Sequence, residues 1–385
     1  MKIPISLLLS SALSSAGMIP LGEHVDHLWT WQAAEQKWEL VLLGNDRAYS
    51  PEEAFLPLSD KPYLVTRPSI SGARLTQQSN PSLSFTGVAP GENIWYALFS
   101  NSGLGEAYPG FSNGQSSATI APYFETDRRL AQPQSMARSW ITARISTVFH
   151  DGSLPAKFSM WTGSTSTPRI WTSTTNGQTD NRFLFVAGLH EHVNWTFGAT
   201  GIYRIGMRAS AFLGAGQTSP TGESDEVKVT FTVGPVAFWQ ARNFPAAALE
   251  NVAISGMDAN PDGDGEKNLV EYAFGTDPNG STIPLAPGLG APKFSVEHQA
   301  DQSFQVLSFP RRKALQLVRP LIYTPQFSPN LKLDSWLEAG TETVIPFTGD
   351  QAALNSEWEY VVFRHPMSSP APVRGFGRIK ISFAE

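Results

Sequence analysis

The chain has 385 residues, only 16% of them charged, and it is rich in Gly (32), Pro (29), Phe (23) and Trp (11). Its 28 basic and 34 acidic residues leave a net charge of −6, with no basic stripe interleaved among the aromatics, so nucleic acid is not expected as a partner. Cysteine is absent, which excludes disulfide stapling and thiol chemistry.

In chain order, residues 1–16 (MKIPISLLLSSALSSA) read as a signal peptide. Lys2 gives a positive start, Ile3 to Leu13 an apolar stretch, and Ser14-Ser15-Ala16 a small-residue cleavage site. The segment is too short to span a bilayer comfortably, and no second apolar segment follows. The expected mature product is secreted, extracytoplasmic or held at the cell surface, without a transmembrane segment.

From residue 17 to 235, short apolar alternations are separated by turn residues. WELVLLGND (38–46), SLSFTGV (82–88), NIWYALFS (93–100), SWITARISTVF (139–149), KFSMWTG (157–163), GIYRIGMRASAF (201–212) and EVKVTFTVG (226–234) all suit strands. Asn45-Asp46 and Asn176-Gly177 suit turns, and SPEEAFLPL a short helical turn or an edge segment. Strands at this spacing without helical periods predict a mainly β fold opening with a β-sandwich.

Residues 236–280 differ. Phe238, Trp239, Ala241 and Phe244 fit a short helix that Pro245 stops, and KNLVEYAFG (267–275) fits a second helix capped by Gly275. Residues 281–385 return to strands in FQVLSFPRR, LVRPLIYTPQFS, WEYVVFRHP and FGRIKISF, which predicts a smaller C-terminal β-domain.

Between the two short helices lies DANPDGDGEKNLVEY (258–272). Counted from Asn260, the side chains of Asn260, Asp262 and Asp264 stand at positions one, three and five, and Gly265 stands at the sharp turn at six. Glu266 offers its carbonyl at seven, Asn268 a side chain or a water at nine, and Glu271 a bidentate carboxylate at twelve. This is the oxygen spacing of a calcium loop, with Asn in place of Asp at position one and Asp258 near enough to compensate in part. Calcium is expected here as a structural ion. The stretch FWQARNF through EYAFGTDP resembles the thrombospondin-type-3-like calcium loop of secreted bacterial proteins, and the C-terminal strands more loosely resemble a verrucomicrobial-type β-domain. The resemblance implies an extracellular architecture and not an activity.

GLHEHVNWTFGATGIYRI (188–205) concentrates histidine in a chain with 7 His. In a strand, His190, His192 and Asn194 share a face, and two imidazoles at i, i+2 can share a Zn²⁺ or Cu²⁺ ion. GEHVDHLWTW (22–31) places His24 and Asp26 on one face of a second candidate strand, with His27 beside them. Together the two stretches resemble the surface-anchored domain called choice-of-anchor M, over about residues 21–235. Its His-x-His-x-Asn-Trp-x-Phe run corresponds to His190, His192, Asn194, Trp195 and Phe197, and its opening His-Val-Asp to His24 and Asp26. The resemblance implies an exported surface protein, associated in some members with metal-type transporters. It makes His24, Asp26, His190, His192 and Asn194 the transition-metal candidates, with Trp195, Phe197 and Tyr203 as packing. The calcium linker, the extra β-domain and an end without an anchor depart from that pattern.

A non-enzymatic binding or scaffold protein for an unidentified surface or extracellular ligand is therefore expected. The alternatives are a metal-dependent extracellular hydrolase and a carbohydrate-binding module. HEHVN is not H-E-x-x-H, and no G-x-S-x-G or phosphate-binding loop is present. Sugar binding would require some of Trp29, Trp31, Trp38, Trp161 and Trp171 to face solvent.

Overall fold

The computed structural model describes residues 17–22, 24–58, 75–77, 81–97, 108–113, 122–126, 135–151, 156–175, 182–188, 190–213, 219–280, 283–313, 320–338, 340–346, 357–367 and 375–384. Residues 1–16, expected as a signal peptide, and Asn176-Gly177, expected as a turn, lie outside the described residues. Strands dominate and helices are few and short, so the fold is mainly β. Among the described residues, no helix is long and apolar enough to cross a membrane.

Three sheets build the N-terminal part. The largest runs in the order Ile19–Pro20, Ala54–Leu58, Val227–Val233, Gly201–Leu213, Ser135–His150, Arg182–Val186. A second is ordered Thr167–Ser173, Phe158–Ser164, Asn194–Phe197, Asn93–Ala97, Leu75–Gln77. The third is ordered His190–His192, Tyr108–Asn113, His24–Gln32, Lys37–Leu43, Ala48–Tyr49. All three contribute to one core, because alternation sends every second residue of each strand inward. Trp29 comes from the third sheet, Trp195 and Phe197 from the second, and Tyr203 and Phe231 from the first. Each of these is at most 1% exposed, and burying a Phe of this kind contributes about 1.5–3 kcal/mol.

Two local expectations change. SLSFTGV forms a 3-10 helix, Pro81–Thr86, in which the Thr86 hydroxyl donates back to the Leu83 carbonyl. The apolar alternation there covers the second sheet through Leu83 and Phe85 instead of joining it. Ala54–Leu58 is a strand paired in parallel on both sides, and Phe55 and Leu56 are completely buried.

The strand Gly201–Leu213 explains how the helices attach. Tyr203, Ile205 and Met207 face the sandwich core, while Ile202 on the opposite face joins a second core with Phe55, Trp239, Phe244 and Leu249. The helix Pro235–Asn243 starts on a proline that needs no hydrogen bond at its first turn, and Pro245 follows its end. Gly17 meets this helix so closely that a Cβ there would lie 1.8 Å from the Arg242 carbonyl oxygen.

The helix Asn268–Phe274 joins the two halves of the molecule. Tyr272 packs with Trp239 in the second core, while Ala273 and Phe274 belong to the C-terminal core with Phe309, Phe327 and Phe363. Gly275 ends the helix in the left-handed conformation (φ 72°) that suits glycine. Arg312 crosses the same joint: its Nε donates to the Tyr272 carbonyl at 2.8 Å, and its guanidinium lies over the Tyr272 and Trp358 rings. Two small sheets follow, ordered Lys293–Gln299, Gln302–Arg312, Trp358–Pro366, Thr341–Ile345 and Leu337–Glu338, Leu321–Ser328, Phe376–Phe383.

Candidate metal centres

The two histidine stretches, 166 residues apart in sequence, meet. The His24–Gln32 strand runs parallel to Tyr108–Asn113, which in turn pairs antiparallel with His190–His192. Asp26 and His192 both face Gly110 in register, from opposite sides. Alternation then puts His24, Asp26, His190 and His192 on one face of the sheet. Their ligand atoms all lie within 4.8 Å of one another. The Nε2 of His24 is 3.0 Å from that of His190 and 3.2 Å from that of His192. Asp26 Oδ1 is 2.8 Å from His190 Nε2 and 3.5 Å from His24 Nε2.

These separations suit an ion. A tetrahedron with metal–ligand bonds of about 2.0–2.1 Å has edges of about 3.3–3.4 Å. Hydrogen bonding alone serves the cluster poorly, since three imidazole nitrogens and a carboxylate oxygen converge on one point. Asp26 Oδ1 is buried and, among the described residues, receives no hydrogen bond of acceptable geometry. A divalent cation would satisfy all four atoms together. Burial first, and the charge of His190 second, hold the His192 imidazole below its ordinary pKa, which favours the neutral form a metal needs. His190 stands exposed at the rim, and Asp26, 5% exposed, forms the floor.

His27 has a different role. It faces the core, completely buried, with Phe111 and Trp195 stacked at 5.3 and 5.2 Å. Its Nδ1 donates to the Gly110 carbonyl at 2.9 Å, and burial lowers its pKa to about 4, so the ring is neutral. Asn194 also separates from the cluster. The strand breaks at Val193, and Asn194, 2% exposed, opens the next strand in the second sheet opposite Trp161.

The acidic loop has its own geometry. The carboxylates of Asp262, Asp264 and Glu271 lie within 4.8 Å of one another. Three short hydrogen-bonded turns fold the loop: Gly263 N–H donates to Asn260 Oδ1 (2.9 Å), Asp264 N–H to Asp262 Oδ1 (3.2 Å) and Glu266 N–H to Asp264 Oδ1 (2.7 Å). Gly265 adopts φ 100°, which a side chain at the sixth position would resist. Both oxygens of Glu271 and Asp262 Oδ2 are buried without a hydrogen bond among the described residues. Burial, then the Asp262 and Asp264 charges, push the Glu271 pKa up to about 8. A hard cation on these oxygens would remove that cost. The side chain of Glu266 shares the acidic environment, with its pKa raised by burial and then by Asp264 and Asp262. Asn268 is turned back toward the chain before the loop, where its Nδ2 donates to the Ile254 and Gly256 carbonyls at 2.9 and 2.8 Å. Asp258, expected to compensate in part for Asn260, faces solvent and pairs with Lys267, and it is not among the carboxylates that converge.

The five tryptophans considered for sugar stacking, Trp29, Trp31, Trp38, Trp161 and Trp171, are all at most 7% exposed and fill the interior. A crevice at the helical joint is lined by Asp151, Gly201, Val233, Ala237, Met257 and Phe383, and none of the candidate ligands lines it.

No protein-family model matches this chain, and no curated protein matches it. Among solved structures it is similar to the secreted serine protease VesC from Vibrio cholerae, at 10% identity and a TM-score of 0.14. That match covers 77% of this chain and 61% of the protease, and at this score it carries no argument.

Proposed function

We propose that this chain is an extracytoplasmic, non-enzymatic binding protein that takes up a divalent transition metal, zinc or copper, between His24, Asp26, His190 and His192. One observation carries the reading: three imidazole Nε2 atoms and a buried carboxylate from two strands distant in sequence converge at ligand-to-ligand distances on one face of a sheet. Nitrogen-rich donor sets favour zinc and copper over calcium or magnesium. The exposed His190 leaves one side of the site open to solvent, which suits uptake and transfer.

Calcium in the loop 260–271 would brace the joint between the two β-regions. Glu271, its central carboxylate, is next to Tyr272 and close to Phe274, which anchor the helix in two different cores.

The test is elemental analysis of the full-length chain purified without chelator, beside a His190→Ala/His192→Ala double variant. About one zinc or copper per parent chain and none in the variant supports the reading. Calcium alone, equal in both proteins, overturns it.

A further inference from the structure

We propose that Gly110 decides whether the histidine site can hold an ion at all, by leaving empty the position over which its ligands must reach. The inference rests on the metal reading above. The ligands come from the two outer strands of a three-strand group, about 9–10 Å apart at neighbouring-strand spacing. Asp26, Gly110 and His192 form one row across these strands. Any residue at the middle of that row points its side chain at the point where the donors converge. Glycine puts nothing there.

The space is small. A Cβ on residue 110 would lie 2.7 Å from Asp26 Oδ1, 2.8 Å from His192 Cε1 and 2.9 Å from His192 Nδ1. All three of these atoms belong to proposed ligands, and no backbone atom is among them. Gly110 is also not required for its backbone conformation, since it is not one of the glycines with positive φ. Alanine is therefore permitted by the chain and refused by the site.

The strand cannot retreat from such a clash. It is paired on both edges at this point, and the Gly110 carbonyl accepts a hydrogen bond from His27 Nδ1 behind it. His27 is held in turn between the Phe111 and Trp195 rings. What yields is the Asp26 carboxylate and the His192 ring, and when these turn away the ion loses two of its four donors.

The test is Gly110→Ala in the full-length chain. Zn²⁺ affinity is measured by competition with a chromophoric chelator, the visible d–d band of bound Co²⁺ reports coordination, and circular dichroism with melting reports the fold. The expected result is a folded variant that binds Zn²⁺ at least about tenfold more weakly, with a weakened or lost Co²⁺ band, in line with the 10–100-fold cost of disturbing groups that orient ligands. Parent-like affinity and spectrum in a folded G110A overturn the role of Gly110 while leaving the site intact. Absence of binding in the parent overturns the site itself, and the role of Gly110 with it. If G110A fails to fold, the G110A/H192A pair decides against H192A alone, because removing the ring relieves one of the two clashes. Further weakening of the residual, three-donor Co²⁺ binding of H192A supports the proposal, and equal binding by the two variants overturns it.

Discussion

The histidine cluster and the acidic loop are both candidate metal centres, but they are assembled differently. The loop draws its carboxylates from ten consecutive residues, Asp262 to Glu271, and folds them together with local turns. The histidine cluster draws on residues 24–26 and 190–192 and depends on a strand from elsewhere in the chain to bring them into register. The loop offers oxygen only and the cluster mainly nitrogen, so the two candidate sites differ in kind, the loop suiting a hard cation and the cluster a borderline one. A local site can be read from spacing. A site made by sheet topology can only be suspected from its pieces.

The largest expected effect separates the two sites. Asp26→Ala, which removes one of four donors, should weaken transition-metal uptake by at least about tenfold and leave calcium binding unchanged, while Glu271→Gln should do the reverse. Metal analysis of both variants checks this, and a shared loss in either would break the distinction.

The next effect is on stability. At a calcium concentration a hundredfold above its Kd, the parent should gain about 2.7 kcal/mol, seen as a higher melting temperature. In E271Q that gain should vanish, yet the calcium-free variant should melt a few degrees above the calcium-free parent, because a buried and repelled carboxylate has been made neutral. A calcium-free E271Q that melts lower would contradict this account of the loop.

The third effect is pH dependence. Glu271 has a folded-state pKa raised to about 8, above its ordinary 4.5, so between these values the folded chain holds a proton that the unfolded chain has released. Stability of the calcium-free protein should therefore fall as pH rises from about 4.5 to about 8, and saturating calcium should flatten that slope. Melting curves across this range, with calcium and with chelator, measure it. The smallest effect concerns Asp258, which pairs with Lys267 at the surface: Asp258→Asn should change calcium affinity less than about twofold, as exposed ion pairs contribute little.

How much of this was legible in the sequence follows from the same contrast. The strands from Ser139 to Phe149 and from Gly201 to Phe212, and the helix ended by Gly275, were readable because alternation and capping are local. Asp262, Asp264 and Glu271 were readable from spacing, but Asp258 was not, since the side to which a loop residue turns is not encoded in its spacing. The apolar pattern of Pro81–Thr86 imitates strand periodicity because Leu83 and Phe85 cover a sheet face. His24, Asp26, His190 and His192 were nameable as two pairs, whereas their meeting depends on the parallel pairing of His24–Gln32 with Tyr108–Asn113, for which single-strand patterns carry no signal. Gly110 gave none at all: a glycine in a strand usually marks a bulge or a weakened ladder, and here it marks space for other side chains.

Whether His24, Asp26, His190 and His192 together hold one ion is tested by X-ray absorption at the zinc edge on the full-length chain loaded with one equivalent of Zn²⁺. The expected spectrum is that of a four-coordinate ion with imidazole scattering from three histidines and one oxygen, at about 2.0–2.1 Å. A shell of six oxygens without imidazole scattering, unchanged by Asp26→Ala, would place the ion elsewhere and contradict it.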